Sequence, residues 1–404
     1  MKILHFADIH LGMENYGKLD AETGLSSRLG DFLKSFDFLV DYAINHKIDL
    51  AVFAGDAYKT RDPSPTYQRE FAKRILKLSQ QMPVVMTVGN HDFPNALGKA
   101  DTLEIFPTLG VPNITVFKDA EIKIIDTKSG PIQVADLPWL TRSQLLSKNE
   151  FACGNAKDLV KTATHHLTEK LDYLSSRIDP KLPSLLVAHA SIEGALYGSE
   201  QSISIGSEIA LPLTTLRHAK FDYIALGHLH KFQQVLAKPL TIYPGSIERV
   251  DFGEEKEAKG FIIAEITDHK TVSSFIKTPA RPFVSVRILI KEADVDPTEK
   301  VLQEIAKHKI KDAIVKVIIK VSEEKSAEIR ETPIREALQD AHFIAGINKE
   351  IEKGDRVQTK NGFSDELASL DKIGLLEKYF KSKNISVKLM ATLKKETEKL
   401  LEQE

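Results

Sequence analysis

The sequence lacks several features that would place it outside the ordinary globular proteins. A single cysteine, Cys153, occurs in 404 residues, which excludes an internal disulfide and a cage of thiolate ligands around a metal. No apolar run approaches the roughly 20 residues needed to cross a bilayer, so we expect no membrane-spanning segment. The formal net charge is −2, so any DNA binding must come from a local basic patch or from bound metal ions.

The overall composition is that of a globular protein. Hydrophobic residues make up 42% and charged residues 28% of the chain, and its length predicts two or three domains. The opening MKILHFADIHLG has neither the basic region nor the cleavage site of a signal peptide, so we expect it to form the first strand of the mature fold. The cysteine content fits a reducing cytoplasm.

The first 280 or so residues contain short apolar runs that are rich in Val, Ile, Leu and Phe. Such runs are typical of strands inside a sheet that is covered on both faces. Five of them are KILHFA, DLAVFAG, PVVMTVG, SLLVAHA and FDYIALG.

Each of these runs has a possible metal ligand at or near its carboxyl end. The residues concerned are Asp8, His10, Asp56, Asn90, His91, Asp92, His189, His228 and His230. Ligands of α/β sheets bind beyond the carboxyl ends of the strands, so we expect these side chains to converge. In each of the pairs Asp8/His10 and His228/His230, an extended backbone would turn both side chains to the same side.

The residue types restrict what such a site could bind. Asparagine and aspartate oxygens with imidazoles, and no thiolate, suit Mn²⁺, Zn²⁺ or Fe²⁺. Two of the aspartates, the asparagine and four of the histidines make seven ligands, which are too many for one tetrahedral ion but suit two ions that share a carboxylate and clamp a phosphoester. By default Gly55-Asp56 and Gly89-Asn90 would be turn residues, yet the coincidence of five strand-end signals favours a metal centre.

The pattern changes near Pro282. FVSVRILI, VLQEIAKH and AIVKVIIKV predict a β-α-β unit, which we assign to a separate small domain over residues 281–345. The remaining residues, 346–404, we expect to contain a linker and, from Asn361, two amphipathic helices, the second with Ser386 as its N-cap.

The ordered motifs D-x-H, G-D, G-N-H-D, H and G-H-x-H resemble those of the calcineurin-like metallophosphoesterase superfamily. Within it, DIHLG, GDAYKTRDPSP, GNHD and YPGSIERVDFGE are similar to the SbcD nuclease family, bacterial relatives of the meiotic recombination eleven nucleases. The resemblance implies an α/β (α+β) fold: a four-layer β-sandwich flanked by helices over residues 1–280, a DNA-capping domain, and a C-terminal helix pair.

The resemblance also implies roles for the site residues. One ion would be held by Asp8, His10, Asp56 and His230. The other would be held by Asp56, Asn90, His189 and His228. The ions would be two Mn²⁺, with Mg²⁺ or other divalent ions as alternatives. His91 would stabilise or protonate the leaving oxygen, and Asp92 would either orient the His91 imidazole or cap the following turn.

Four cations follow the ligand motifs and could contact the DNA phosphate backbone: Lys59, Arg61, Lys231 and Arg249. Solvated loop charge is the alternative for each. Lys59 stands where some relatives have a second histidine, so it could contact a phosphate but could not easily act as a neutral base.

The resemblance therefore implies a metal-dependent DNA nuclease of an SbcCD-like repair complex. Its activities would be a 3′–5′ exonuclease on double strands and an endonuclease on single strands or hairpins. We expect a homodimer in the cytoplasm, associated with the nucleoid, that binds an SbcC-type ATPase through the terminal helices, although those helices could instead complete the core of the protein. The alternatives are a phosphatase or phosphodiesterase for small phosphoesters and a scaffold that mainly tethers DNA ends.

Overall fold

A computed structural model describes residues 1–94, 99–139, 156–198, 209–352 and Leu393. Cys153 and the expected C-terminal helix pair lie outside these residues. Of the helices in the described ranges, none is long and apolar enough to cross a membrane.

Two six-stranded sheets form the first part of the chain. The strands of the first sheet are, in spatial order, β14 (Lys270–Lys277), β13 (Gly260–Thr267), β1 (Lys2–Phe6), β2 (Leu50–Phe53), β3 (Val84–Met86) and β4 (Ile114–Val116). β1 to β4 run parallel, whereas β13 pairs antiparallel with β1 and β14. The carboxyl ends of β1, β2 and β3 therefore meet at one edge of the sheet.

The second sheet has a parallel centre as well. Its strands are, in spatial order, β11 (Gln233–Ala237), β12 (Leu240–Tyr243), β10 (Tyr223–Gly227), β7 (Ser184–His189), β6 (Gly130–Leu137) and β5 (Ile122–Thr127). β6, β7, β10 and β12 are parallel, and β5 and β11 are antiparallel edge strands. A two-stranded sheet of β8 (Ser191–Ile192) and β9 (Ala210–Leu211) follows β7.

Helices cover the outer faces of both sheets. The helices of this part are α1 (Ser27–Asn45), α2 (Pro65–Ser79), α3 (Ile105–Thr108), α4 (Ala156–Ser176) and α5 (Leu213–His218). α1 and α2 pack on the first sheet, and α4 and α5 pack on the second. Two N-caps fix where the first helices begin, because the side chain of Ser26 accepts from Arg28 N–H and that of Ser64 from Tyr67 N–H.

The alternation of side chains along each strand separates the hydrophobic layers. In β1, Leu4 and Phe6 pack against α1, whereas Ile3 faces the second sheet. Phe32 and Phe36 of α1 are fully buried, and each stabilises the fold by roughly 1.5–3 kcal/mol. Helices, sheet, sheet and helices make the four-layer α/β sandwich that the family resemblance implied, and this expectation is confirmed.

A small parallel sheet forms the second part. Its strands are β15 (Phe283–Leu289), β16 (Ile314–Ser322) and β17 (Phe343–Glu352), in that order. Its helices are α6 (Pro297–Ile305), α7 (Glu323–Ser326) and α8 (Glu331–Ala337). The predicted β-α-β unit is thus β15, α6 and β16, to which β17 adds a third strand. β17 continues to Glu352, which lies past the domain boundary that we expected at residue 345.

The small sheet contacts the double sheet through both apolar and charged groups. Phe252, in a short 3₁₀ helix (Phe252–Glu254), lies 5.0 Å from the Phe283 ring, measured between centroids. Tyr16 lies 5.8 Å from the same Phe283 ring. Arg281 Nε donates to Asp31 Oδ2 at 2.6 Å, so a charged pair joins the base of the small sheet to α1.

Candidate metal centre

The carboxyl ends of β1, β2 and β3 in the first sheet and of β7 and β10 in the second meet at one edge, which we call the rim. The loops after β1 and β2 are pinned together there, because Asp8 N–H donates to Gly55 O at 3.0 Å and His10 N–H to Asp56 O at 3.2 Å. The φ angles are positive at Asp8 (53°), His10 (47°), Asp56 (63°) and His228 (108°). The expectation that an extended backbone aligns the paired ligands is therefore wrong. Left-handed turns aim them instead, at a cost of about 1–3 kcal/mol each.

Glycines make the close approach of these loops possible. A Cβ atom at Gly89 would collide with the Asp56 carboxylate, and one at Gly227 would collide with Ala54 O. The glycines of the Gly-Asn and Gly-His dipeptides are therefore required by packing at the rim.

One group of ligands lies where the loop after β1 meets the loop after β10. Ligand atoms of Asp8, His10 and His230, all buried, lie within 4.8 Å of one another. His10 Nε2 and His230 Nε2 are 2.9 Å apart. The Asp8 carboxylate also accepts from His228 N–H at 3.1 Å, which holds the loop after β10 in place.

A second group lies beside the first. Ligand atoms of Asp56, His189 and His228 lie within 4.8 Å of one another. Asn90 Oδ1 is 2.9 Å from His189 Nε2 and 3.1 Å from His228 Nδ1. Asp56 Oδ2 is 3.4 Å from His189 Nε2 and 3.7 Å from His10 Nε2, so this carboxylate stands between the two groups. All of the predicted ligands thus lie together.

Hydrogen bonds at Nδ1 of His189 and His230 leave Nε2 of each ring facing the rim. His189 Nδ1 lies 2.7 Å from Ala54 O, a carbonyl that only accepts, so Nδ1 carries the proton. His230 Nδ1 lies 2.8 Å from Glu254 Oε1 in the same way. The Nε2 lone pair of His189 then faces the acceptor oxygen of Asn90, and a cation or a proton has to separate the two. Such a donor set fits divalent metal ions.

The electrostatics of the metal-free site agree with this interpretation. Burial lowers the pKa of His189, but the carboxylates of Asp56 and Asp8 outweigh it and raise the pKa to about 9. Burial raises the pKa of Asp8 to about 6. Burial also opposes the charge on Asp56, yet the neighbouring imidazoles, His189 first, hold the pKa of this carboxyl well below its usual range. A metal ion that bound to Nε2 of His189 would therefore displace a proton from this imidazole.

Sequence reasoning missed two residues that support His230. Glu254 is fully buried, and besides His230 it contacts Lys259, with 2.8 Å between Oε2 and Nζ. Lys259 Nζ in turn donates to His230 O at 3.0 Å. The motif YPGSIERVDFGE ends at Glu254, so the signal was present, but no histidine lies near it in the chain.

His91 and Asp92 have different tasks. His91 Nδ1 donates to Lys59 O at 2.7 Å, and its ring lies 5.0 Å from the His10 ring. The side chain of Asp92 is buried and accepts from three backbone N–H groups and one hydroxyl, those of Asp56, Ala57, Gly89 and Thr102. Asp92 therefore positions the loops that carry Asp56 and Asn90. These bonds favour a structural role for Asp92 over the expected catalytic one, because the Lys59 carbonyl already orients the His91 ring.

The four predicted DNA contacts differ among themselves. Arg61 Nε donates to Asn90 O at 3.2 Å, which places Arg61 beside the second ligand group. Lys59 and Lys231 are half-buried neighbours of ligand residues, and their DNA contact stays a prediction. Arg249 donates to Arg281 O at 3.0 Å and to Glu257 O at 2.8 Å. Its guanidinium thus bonds inside the protein, which favours a structural role over the predicted DNA contact.

Comparisons with known proteins agree with the site. Two curated relatives both carry the name of the D subunit of the nuclease SbcCD. That from Staphylococcus epidermidis is 28% identical over 328 residues, 77% of each chain. That from Staphylococcus saprophyticus is 26% identical over 295 residues, 72% of this chain and 71% of the relative. A solved dimetal phosphatase from Danio rerio aligns at 11% identity and a TM-score of 0.39, over 68% of this chain and 98% of that one, too distant to carry an argument.

The family comparison covers the whole candidate centre. Residues 1–232 match the calcineurin-like phosphoesterase model, and this range contains every predicted ligand from Asp8 to His230. The match extends over more than half of the chain. The chain therefore belongs to the calcineurin-like phosphoesterase family and is a metal-dependent enzyme that hydrolyses phosphate esters.

Proposed function

We propose that this protein is a two-metal DNA nuclease and the nuclease subunit of a complex with an SbcC-type ATPase. The observation that carries the proposal is the pair of ligand groups with Asp56 between them. The two relatives named for the nuclease SbcCD support DNA as the substrate and an ATPase as the partner. Oxygen and imidazole ligands suit Mn²⁺, Zn²⁺ or Fe²⁺, and the resemblance of the motifs favours Mn²⁺, with Mg²⁺ as an alternative.

The protein's own residues prepare the site for an anionic diester. Divalent ions bound here would polarise phosphate oxygens and lower the pKa of a bound water. Asp56, in a buried position between the two ligand groups, would supply the shared carboxylate. The hydrogen bonds of His189 to Ala54 O and of His230 to Glu254 hold a proton on Nδ1 of both imidazoles and orient the rings, so that Nε2 is the atom of each that would bind a metal.

His91 is the imidazole best placed to meet the leaving group. Its Nδ1 is committed to Lys59 O, so Nε2 is the ring nitrogen left for substrate. Its ring packs edge-on against His10 and is half-buried, whereas the ligand residues His10, His189 and His230 are buried. When protonated, His91 donates from Nε2 to the oxygen that departs from phosphorus.

Several finer points belong to the same proposal. They are the 3′–5′ exonuclease on duplex ends, the endonuclease on hairpins and single strands, the homodimer, the contact of the C-terminal helices with the ATPase, a DNA-capping role for the small sheet, and action on DNA in the cytoplasm. The relatives' printed name supports the ATPase complex, and the remaining points rest on the resemblance of the motifs.

The test compares Asp56→Asn with the wild-type protein. We expect the variant to bind less metal by elemental analysis and to cleave a manganese-supplied hairpin and a blunt duplex about 10³-fold more slowly or worse. His165→Gln is the control, because His165 is 72% exposed on α4 and outside the site. Normal metal content and cleavage in Asp56→Asn would refute the proposal.

A second assay separates the nuclease from the alternatives. The wild-type protein should hydrolyse a phosphodiester faster than a phosphomonoester, and duplex DNA should compete with it. Preference for the monoester, without competition by DNA, would instead indicate a small-molecule phosphatase. DNA-repair activity that survives in Asp56→Asn would indicate a tether.

A further inference from the structure

Trp139 is the only tryptophan of the chain, and it lies on the rim. It follows β6, which ends at Leu137 and pairs in parallel with β7, the strand that ends at His189. The carboxyl end of β6 therefore opens on the same edge of the sheet as the metal ligands. Unlike the ends of β7 and β10, it presents an indole where those strands present ligand atoms.

The indole packs directly on the second ligand group. Its ring centroid lies 5.1 Å from that of His228, with the planes tilted by 39°, and 5.8 Å from that of His189, nearly edge-on at 70°. Trp139 is half-buried, so part of this large apolar surface remains open. A half-buried aromatic ring beside a phosphate-binding centre is a surface on which a nucleobase can stack.

Two different rings flank the ligand set. His91 packs against His10, a ligand of the first group, whereas Trp139 packs against His189 and His228 of the second. A phosphodiester lying across Asp56 would therefore have an imidazole near one of its two ester oxygens and an indole near the other. His91 suits a leaving oxygen, and the indole suits the base of the nucleoside that keeps the phosphate.

We propose that Trp139 stacks on a nucleobase of bound DNA, on the side of the scissile phosphate away from His91. This inference rests on the proposed nuclease function and adds a specificity residue to it. Every base has a π-face, so the contact would tolerate any sequence while distinguishing nucleic acid from phosphoesters that lack a base.

A purely structural role for Trp139 makes a different prediction. If the indole only packed against His189 and His228, it would keep these ligands in place. Its loss would then weaken metal binding, and it would weaken the binding of all phosphoesters to the same extent. A stacking role affects only substrates that carry bases. The two roles are therefore separated by a substrate from which the bases have been removed.

The first experiment uses the single tryptophan as its own reporter. The manganese-loaded wild-type protein is titrated with phosphorothioate oligothymidylate, which resists hydrolysis, and with an abasic tetrahydrofuran oligomer of equal length. We expect oligothymidylate to quench the tryptophan fluorescence and the abasic oligomer to bind without quenching. Equal quenching by both, or binding of oligothymidylate without quenching, would overturn the inference.

The second experiment combines protein variants with the two oligomers in a thermodynamic cycle. Binding affinity is measured by the fluorescence anisotropy of labelled oligomers. Trp139→Ala should weaken binding of oligothymidylate about 5- to 150-fold and that of the abasic oligomer by no more than about twofold. Trp139→Phe should recover part of the loss. Tyr173→Ala, which removes an aromatic ring that is 60% exposed on α4, should change neither.

The outcomes keep this inference apart from the nuclease proposal. Metal content is measured in every variant, and equal losses of affinity for both oligomers with a loss of metal would assign Trp139 a structural role only. A wild-type protein that neither binds nor cleaves DNA would refute the nuclease proposal itself, and the stacking inference with it.

Discussion

The metal ligands and the cations predicted to contact DNA differ in how the protein holds them. His189, His230 and Asp8 are buried and each is fixed by a hydrogen bond to Ala54 O, Glu254 or His228 N–H. Among the cations, Arg61 donates to a backbone carbonyl at the rim, and Arg249 is committed to internal carbonyls. The residues predicted to bind metal are thus held in one orientation by burial and by hydrogen bonds.

This difference shows what a local motif can and cannot specify. A carboxylate or imidazole buried without a partner is costly, so its position at a strand end already indicates a special environment. A lysine or arginine in a loop is compatible with solvent, with DNA and with an internal carbonyl. For this reason the sequence alone did not distinguish a DNA contact of Arg249 from the internal hydrogen bonds that it makes.

The largest effect is expected where the ligand loops themselves are held. Asp92→Ala leaves the buried N–H groups of Asp56, Ala57 and Gly89 without acceptors. We expect the free energy of unfolding, measured with urea in EDTA, to fall by about 3 kcal/mol or more. Thr102→Ala removes only one of the four bonds and should cost about 1 kcal/mol. Equal losses in the two variants would contradict the bracing role of Asp92.

The next effect concerns pH. The carboxylates beside His189 outweigh its burial and raise its pKa to about 9 in the metal-free protein, so at pH 7 this ligand holds a proton that metal must displace. Metal affinity should therefore rise as the pH increases from 7 to 9, by up to about tenfold per unit, and then level off. Calorimetric titration in buffers of different ionisation enthalpy would measure the released proton. A flat affinity over this interval would exclude the protonated ligand.

A smaller effect is expected for the carboxylate behind His230. Glu254→Gln removes the charge that keeps Nδ1 of His230 protonated, and metal affinity should fall about 10- to 100-fold. Glu257→Gln is the matched control, because Glu257 also contacts Lys259, at 2.9 Å, whereas the position beside His230 Nδ1 is taken by Glu254. If both variants lost the same affinity, the Lys259 contact and not the histidine would be responsible.

The smallest effects are expected for the cations, and they test whether Lys59 and Arg61 differ from Arg249 in contacting DNA. Lys59→Ala/Arg61→Ala should reduce the salt dependence of DNA binding by roughly 0.7–0.9 in slope for each phosphate that the variant no longer neutralises. Arg249→Ala should leave the slope unchanged and lower the free energy of unfolding by about 1–2 kcal/mol, because its bonds to Arg281 O and Glu257 O are removed. A reversed pattern would restore Arg249 as a DNA contact.

Much of the fold and the ligand set could be read from the sequence. The apolar runs mark β1, β2, β3, β7 and β10, and parallel strands bring their carboxyl ends to one edge. The residue types at those ends then identify the chemistry. The strand positions and the ligand types both depend on local sequence patterns, so the sequence alone was sufficient to predict them.

The rest depends on contacts between distant parts of the chain. The left-handed backbone of Asp8 and His10 results from pinning against the loop after β2, which no local pattern shows. Glu254 reaches His230 only because residues 252–254 fold back as a 3₁₀ helix. β17 was missed because its pairing with β16 spans two intervening helices.

The short 3₁₀ helix has one further consequence. Its first residue, Phe252, packs against Phe283 of the small sheet, and its last residue, Glu254, orients the ligand His230. Ser285 N–H also donates to the next side chain, Glu255, at 2.9 Å. A single turn of backbone thus touches the small sheet on one side and the side chain of His230 on the other, so the position of this imidazole depends on how the two sheets pack.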